Sequence, residues 1–285
     1  MICWQRNVMK TNRRTFIKWL GRLGGLAALG YPTLFEPNFP TITRTTLQIP
    51  GLGSLFNGTK IVFLCDFHYS KLVLDRFLSR TISMIRDLKP DVILLGGDYV
   101  NEDPLDAVPL LAHLSKLQPP AGIYGVLGNH DYWAGADQII KIFHQSPIRM
   151  LVNETITLRK ADQRLVIAGL DDAYHGSPNL EKTLSGIAKE QPVIVLVHEP
   201  DYADKTVTAN RTLPLQLSGH SHGGQVCLPL IGPPVLPPMG RIYPAGLQKI
   251  KDTERLVYTS RGIGNLMPIR FNCRPEISYL ELQAG

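Results

Sequence analysis

Ile61-Val62-Phe63-Leu64-Cys65 is apolar at every position, so a strand formed there must be covered on both faces. Leu72 to Leu88 follows, with Leu74, Phe77, Leu78, Ile82, Ile85 and Leu88 at helical spacing, and Pro90 stops it. The texture then repeats. Asp91 to Leu95 reads as a strand, Leu105 to Leu117 as a helix, Ile123 to Leu127 as a strand and Ala136 to His144 as a helix. After Met150 strands dominate: Ile156–Leu158, Leu165–Leu170, Val193–Val197, Leu215–Leu217, Val226–Leu228, Leu256–Ser260 and Ile277–Leu282, with one helix near Leu180 to Lys189. Such a chain needs two sheets packed face to face with helices outside. The expectation is an α/β fold, a four-layer αββα sandwich of two mixed β-sheets.

Charge separates the N-terminus from the rest. Residues 1–30 hold Arg6, Lys10, Arg13, Arg14, Lys18 and Arg22 and no acidic side chain, which accounts for the whole net charge of +6. The remaining body is formally neutral, so no nucleic-acid-binding surface is implied. Arg13-Arg14-Thr15-Phe16-Ile17-Lys18 ahead of a Gly/Ala/Leu run resembles a twin-arginine export signal. An amphipathic helix lying on its own domain is the plainer alternative. Arg22 interrupts the run, which is short of the roughly 20 apolar residues of a spanning helix. The chain is therefore read as a signal or membrane anchor over 1–30, a Pro- and Thr-rich linker with an edge strand over 31–56, and one domain over 57–285. The expected location is the cell envelope, with the twin-arginine export machinery and a membrane surface as partners. Cys65, Cys227 and Cys273 contain no CxxC and give no disulfide framework.

The strand ends carry residues that a strand end does not need. The first closes with Asp66-Phe67-His68, the second with Gly97-Asp98, and the third with Gly128-Asn129-His130-Asp131. Val193–Val197 runs into His198, and Leu215–Leu217 into Gly219-His220-Ser221-His222. Singly these are ordinary turns, loops and solvated histidines. In the last motif, side chains two apart in extended backbone point the same way, so His220 and His222 can present two imidazoles to one spot. In open α/β sheets ligands collect at the carboxyl ends of strands, where all five motifs would converge. His113, His144 and His175 fall outside this pattern.

Together, in this order over residues 60–225, the five motifs resemble the calcineurin-like metallophosphoesterase superfamily. Gly219-His220-Ser221-His222-Gly223-Gly224-Gln225 and the tail Ser260-Arg261-Gly262-Ile263-Gly264 with Pro268 to Ile277 are similar to its bacterial envelope phosphodiesterases and their relatives that cleave UDP-diacylglucosamine. The resemblance implies two divalent metal ions. Asp66, His68, Asp98 and His222 would hold one, and Asp98, Asn129, His198 and His220 the other. Mixed N/O ligation without thiolate fits Mn, Fe or Zn, with Mn favoured. The purple acid phosphatases add a tyrosine three residues after the Gly-Asp aspartate; Asn101 stands there, so no tyrosine–iron chromophore is expected. The implied mechanism is in-line attack on phosphorus by a metal-bridging hydroxide. His130 would be the general acid, with Asp131 either orienting it or serving a local turn.

Cys227 to Gly240 is apolar and Pro-rich. It reads either as a loop crossing the sheet edge or as an apolar lip that admits a lipid or rests on a membrane. Arg241, Arg261, Arg270 and Arg274 are candidate contacts for a phosphodiester or lipid-linked phosphate. The alternatives are a UDP-2,3-diacylglucosamine pyrophosphohydrolase of lipid A synthesis and, in another class, a non-catalytic metal-binding envelope protein. The second would lack a ligand or the His130 equivalent, and this chain has them all.

Overall fold

In a computed structural model, which describes Arg14 and residues 17–19, 30–70 and 75–285, the chain folds into two six-stranded mixed sheets. The first has the order β1 (Thr41–Ile49), β12 (Glu276–Ala284), β2 (Lys60–Leu64), β3 (Val92–Leu95), β4 (Ile123–Gly125) and β5 (Ile148–Met150). Strands β2 to β5 are parallel, and β12 runs against β2. The second sheet has the order β10 (Gly246–Lys249), β11 (Leu256–Thr259), β9 (Leu215–Ser218), β8 (Val193–Leu196), β7 (Gln163–Gly169) and β6 (Glu154–Lys160). Its four inner strands are parallel, and β10 and β6 close the edges antiparallel.

Alternation along the strands builds the layers. Ile61, Phe63, Val92 and Leu94 face the second sheet and meet Ile167, Ile194, Leu196, Leu215 and Leu217 there. Val62, Leu64, Ile93 and Leu95 face outward, onto α1 (Asp75–Leu88), α2 (Ala107–Leu114) and α4 (Ala136–Phe143). On the far side Val166, Ala168, Val193 and Val195 pack under Leu180, Leu184 and Tyr202. This is the expected sandwich.

Several sequence expectations differ in detail. No strand forms over Val226–Leu228, where only the isolated bridges Val226 to Phe271 and Leu228 to Gly232 occur. Five prolines between Leu228 and Pro238 remove the donors a ladder needs. The helix expected over Leu180 to Lys189 is the single turn α5 (Leu180–Thr183), capped by Asn179 and ended before Gly186 at φ +83°. The segment ahead of β1 is stitched down: buried Glu36 accepts from the Asn272 and Cys273 N–H groups at 3.0 and 2.5 Å. The twin-arginine leader lies almost wholly outside the described residues.

Leu280 fills the space between the sheets on the strand that ties the two ends of the chain together. Leu280→Ala should lower unfolding free energy by about 2–5 kcal/mol in urea titrations. A loss below about 1 kcal/mol would mean this layer is not close-packed.

Candidate metal centre

Beyond the sheet, the segments after β2 and β3 run side by side. Asp66 N–H bonds to Gly97 O at 2.9 Å, the Phe67 and His68 N–H groups both reach Asp98 O, and Tyr69 N–H reaches Tyr99 O. The third strand end comes closer than a side chain would allow. A Cβ on Gly97 would lie 2.6 Å from Gly128 N, and one on Gly128 would lie 2.3 Å from Asp98 Oδ1. Those glycines bring three strand ends to one point.

Five candidate ligands hold left-handed backbone: Asp66, His68, Asp98, His220 and His222, with φ between 42° and 68°. That conformation is uncommon outside glycine, Asp and His adopt it more readily than most residues, and its clustering at one place is typical of functional sites. It corrects one expectation. His220 and His222 are not alternate residues of an extended strand. They leave β9 through a turn and go to different neighbours.

His222 Nε2 lies 2.9 Å from His68 Nε2 and 3.5 Å from Asp66 Oδ1. His220 Nδ1 lies 2.8 Å from Asn129 Oδ1, and its ring stands 5.1 Å from that of His198. Asp98 lies between the two groups: its Oδ2 is 3.5 Å from His68 Nε2 and 3.1 Å from His198 Nε2. Its Oδ1 accepts the His130 N–H at 2.9 Å. Asp66, His68 and His222 form one possible cation-holding group, His68, Asp98 and His130 a second, and Asp98, His198 and His220 a third.

The donors fit a divalent cation. Asp66 Oδ2, His68 Nδ1, His198 Nε2 and His222 Nδ1 are buried without a hydrogen-bond partner, a costly state for a folded interior unless something else binds there. Two rings are also turned to present a lone pair. His198 Nδ1–H donates to Gly96 O at 2.6 Å, and His220 Nε2–H to Pro238 O at 2.8 Å. Each bond fixes the tautomer and leaves the other nitrogen free for a metal.

Burial dominates protonation. It lowers His68 to about 3 and His220 to about 4, and takes His222 well below the imidazole range. These three are neutral at neutral pH. Burial opposes charge on His198 too, but Asp98, Glu199 and Asp66 outweigh it and raise its pKa well above the ordinary value. Burial pushes Asp98 up, and His198 and His68 pull it far below the carboxylate range. Asp66, mainly through burial, is pushed up to about 6.

His130, on α3 (Asn129–Ala134), bonds Asn101 O through Nδ1 at 3.1 Å. Asp131 does not orient it. Its carboxylate accepts three backbone N–H groups, those of Asp98, Tyr99 and Gly128, each at 2.9 Å. Asp131 is the tie between the second and third strand ends, the turn role rather than a catalytic one. The arginines are also spoken for. Arg270 is fully buried, donating to Asn265 Oδ1 and to the carbonyls of Cys273 and Gly264. Arg261 pairs with Glu276 at 2.8 Å, and Arg274 donates to Phe39 O. Of the four, Arg241 alone is exposed.

A cavity of about 220 Å³ opens on Asp98, Asn129, His130 and His220, and its outer walls are Trp133, Tyr174, Pro237, Pro238 and Leu266. Neither Trp133 nor Tyr174 stands out in the sequence. Once α3 is known, Trp133 falls one turn after His130, and the rings stand 4.4 Å apart. His175, which fell outside the histidine pattern, sits at this mouth and accepts from Trp133 Nε1 at 2.7 Å.

Residues 59–224 match the sequence profile of the calcineurin-like phosphoesterases. The chain belongs to that family. It is a metal-dependent phosphoric ester hydrolase. It is 36% identical to the Uncharacterized metallophosphoesterase YkuE of Bacillus subtilis over 96% of this chain and 99% of that one. It is 37% identical to Phosphodiesterase YaeI of Escherichia coli over 95% and 99% of the two chains. Similarity extends to the UDP-2,3-diacylglucosamine pyrophosphatase LpxG of Chlamydia trachomatis, at 26% identity over 86% of this chain and 90% of that one.

Cation binding must displace protons from this cluster. The carboxylates around His198 favour its protonated form, and Asp66 takes up a proton as pH falls through about 6. Affinity for Mn(II) should therefore fall as pH is lowered, most steeply below about 6 where Asp66 also takes up a proton. Calorimetric titration of metal-stripped protein checks this, and an affinity independent of pH would contradict it.

Proposed function

We propose that this phosphoesterase hydrolyses a phosphodiester, on a cell-envelope or lipid-linked substrate, at a centre of two divalent cations. Asp66, His68, Asp98 and His222 would hold one cation, and Asp98, Asn129, His198 and His220 the other. The observation that carries this reading is the position of Asp98 Oδ2, within 3.5 Å of an imidazole from each set. With Oδ1 committed to the His130 N–H, one oxygen remains to serve both sides. Mn fits this N/O set, as do Fe and Zn. When bound, such a pair supplies Lewis acidity toward the phosphoryl oxygens and makes water acidic enough to attack at neutral pH.

The chain's own groups do the rest. Asn129 adds a ligand without adding charge, which preserves that acidity. Asn101 O accepts from His130 Nδ1. The ring's other nitrogen then faces the cavity that His130 lines, and in the imidazolium form it carries the proton given to the departing oxygen. Trp133, Tyr174, Pro237, Pro238 and Leu266 exclude water around that oxygen and favour an apolar leaving group. The basic, apolar leader supports a place at the cell envelope, reached by twin-arginine export or by retention as an anchor.

The similarity to LpxG and the apolar cavity wall favour one specific alternative, cleavage of the pyrophosphate of UDP-2,3-diacylglucosamine. Parallel assays with that compound and with bis-(p-nitrophenyl) phosphate separate the two readings.

His130→Ala should retain its cations and lose about 10²–10⁴-fold in turnover on an alkyl phosphodiester. The loss should be much smaller on a p-nitrophenyl ester, whose leaving group needs no proton. Equal losses on both substrates, or near-normal turnover on the alkyl ester, would remove His130 from the acid role.

A further inference from the structure

Three segments carry no charged residue at all, 30–35, 225–240 and 263–269, in a chain that is 19% charged, and the last two reach the cavity mouth. They are joined to one another. Cys227 N–H bonds to Phe271 O, Phe271 N–H bonds to Gln225 O, and Arg270 N–H bonds to Pro32 O. Their large apolar side chains point to solvent: Leu230 fully, Ile231 at 77%, Val235 and Leu34 at 75%, and Met267 at 56%. Leu266, Pro237 and Pro238 belong both to these segments and to the cavity wall.

We propose that this face docks on a lipid bilayer and sets the cavity mouth against it. The inference deepens the phosphodiesterase reading by naming where its substrate is presented. Two features favour a membrane over a protein partner. First, the segment carries few backbone N–H groups into an apolar medium, where an unpaired N–H is costly. Five of the residues from Leu228 to Pro238 are prolines with no N–H, and Leu228 and Gly232 bond each other's carbonyls at 3.0 and 2.8 Å. Second, Pro32 is bonded into this same face, and the sequence of residues 1–30 combines six basic residues, no acidic one and an apolar Gly/Ala/Leu run. That composition is matched to anionic headgroups. Exposed Arg241 stands just past the end of the uncharged stretch, where a headgroup phosphate would lie.

Hydrogen exchange on the full chain, with and without mixed phosphatidylethanolamine and phosphatidylglycerol vesicles, tests this directly. The amides of Leu230, Ile231 and Val235 should exchange on the order of tenfold more slowly with vesicles, while the remote loop 251–254 is unchanged. Leu230→Asp with Ile231→Asp should abolish that protection and leave turnover of bis-(p-nitrophenyl) phosphate intact. Absence of protection, or protection that survives the double substitution, overturns the proposal. So does a dimer of the parent protein that the substitution converts to monomer, since the face would then join two copies. Protection in a protein that cleaves no diester would sink the catalytic reading and leave the docking surface standing.

Discussion

The carboxylate of Asp98 lies out of solvent with imidazoles on both sides, and the arrangement around it depends on that placement. A buried carboxylate is stable only with compensating charge or donors. Here the compensation comes from the backbone N–H of His130, the side chain of His198 and the edge of His68. Those partners leave other polar atoms of the cluster bare. A cluster that satisfies one carboxylate and leaves Asp66 Oδ2, His68 Nδ1 and His222 Nδ1 without partners is suited to cations, as befits a metallophosphoesterase.

The fold serves that placement. Parallel strands deliver their carboxyl ends to one rim of each sheet, and face-to-face packing brings the two rims together. Asp66, Asp98 and Asn129 come from the first sheet, His198, His220 and His222 from the second. The remaining precision is local. Left-handed backbone at five ligands turns side chains inward, Gly97 and Gly128 let the strand ends touch, and Asp131 ties the two segments by their amides. The centre is therefore a product of sheet packing, and a defect in the layer between the sheets reaches it.

Layers and strand ends were legible in the sequence because they follow from burial. An uninterrupted run such as Ile61 to Cys65 allows few folds, and a histidine or aspartate directly after it has few places to go. What the sequence hid depends on conformation or on distant partners. Nothing in Ser218 to His222 announces left-handed backbone, so extended alternation was the natural expectation there. Val226 to Leu228 looks like a strand by composition, yet its apolar residues adjoin an exposed loop. Arg261, Arg270 and Arg274 read as phosphate contacts until their partners Glu276, Asn265 and Phe39 are known. Trp133 escaped notice because Asn129 to Asp131 read as a strand-end loop rather than as the first turn of α3.

The proposed function requires that two cations share one carboxylate, that of Asp98. Crystals of manganese-loaded protein, measured at the manganese absorption edge, test it most directly. Two anomalous peaks per chain are expected, one beside His68 and His222 and one beside His198 and His220, with Asp98 Oδ2 in reach of both. A single peak in protein that still turns over phosphodiester at its full rate would contradict it.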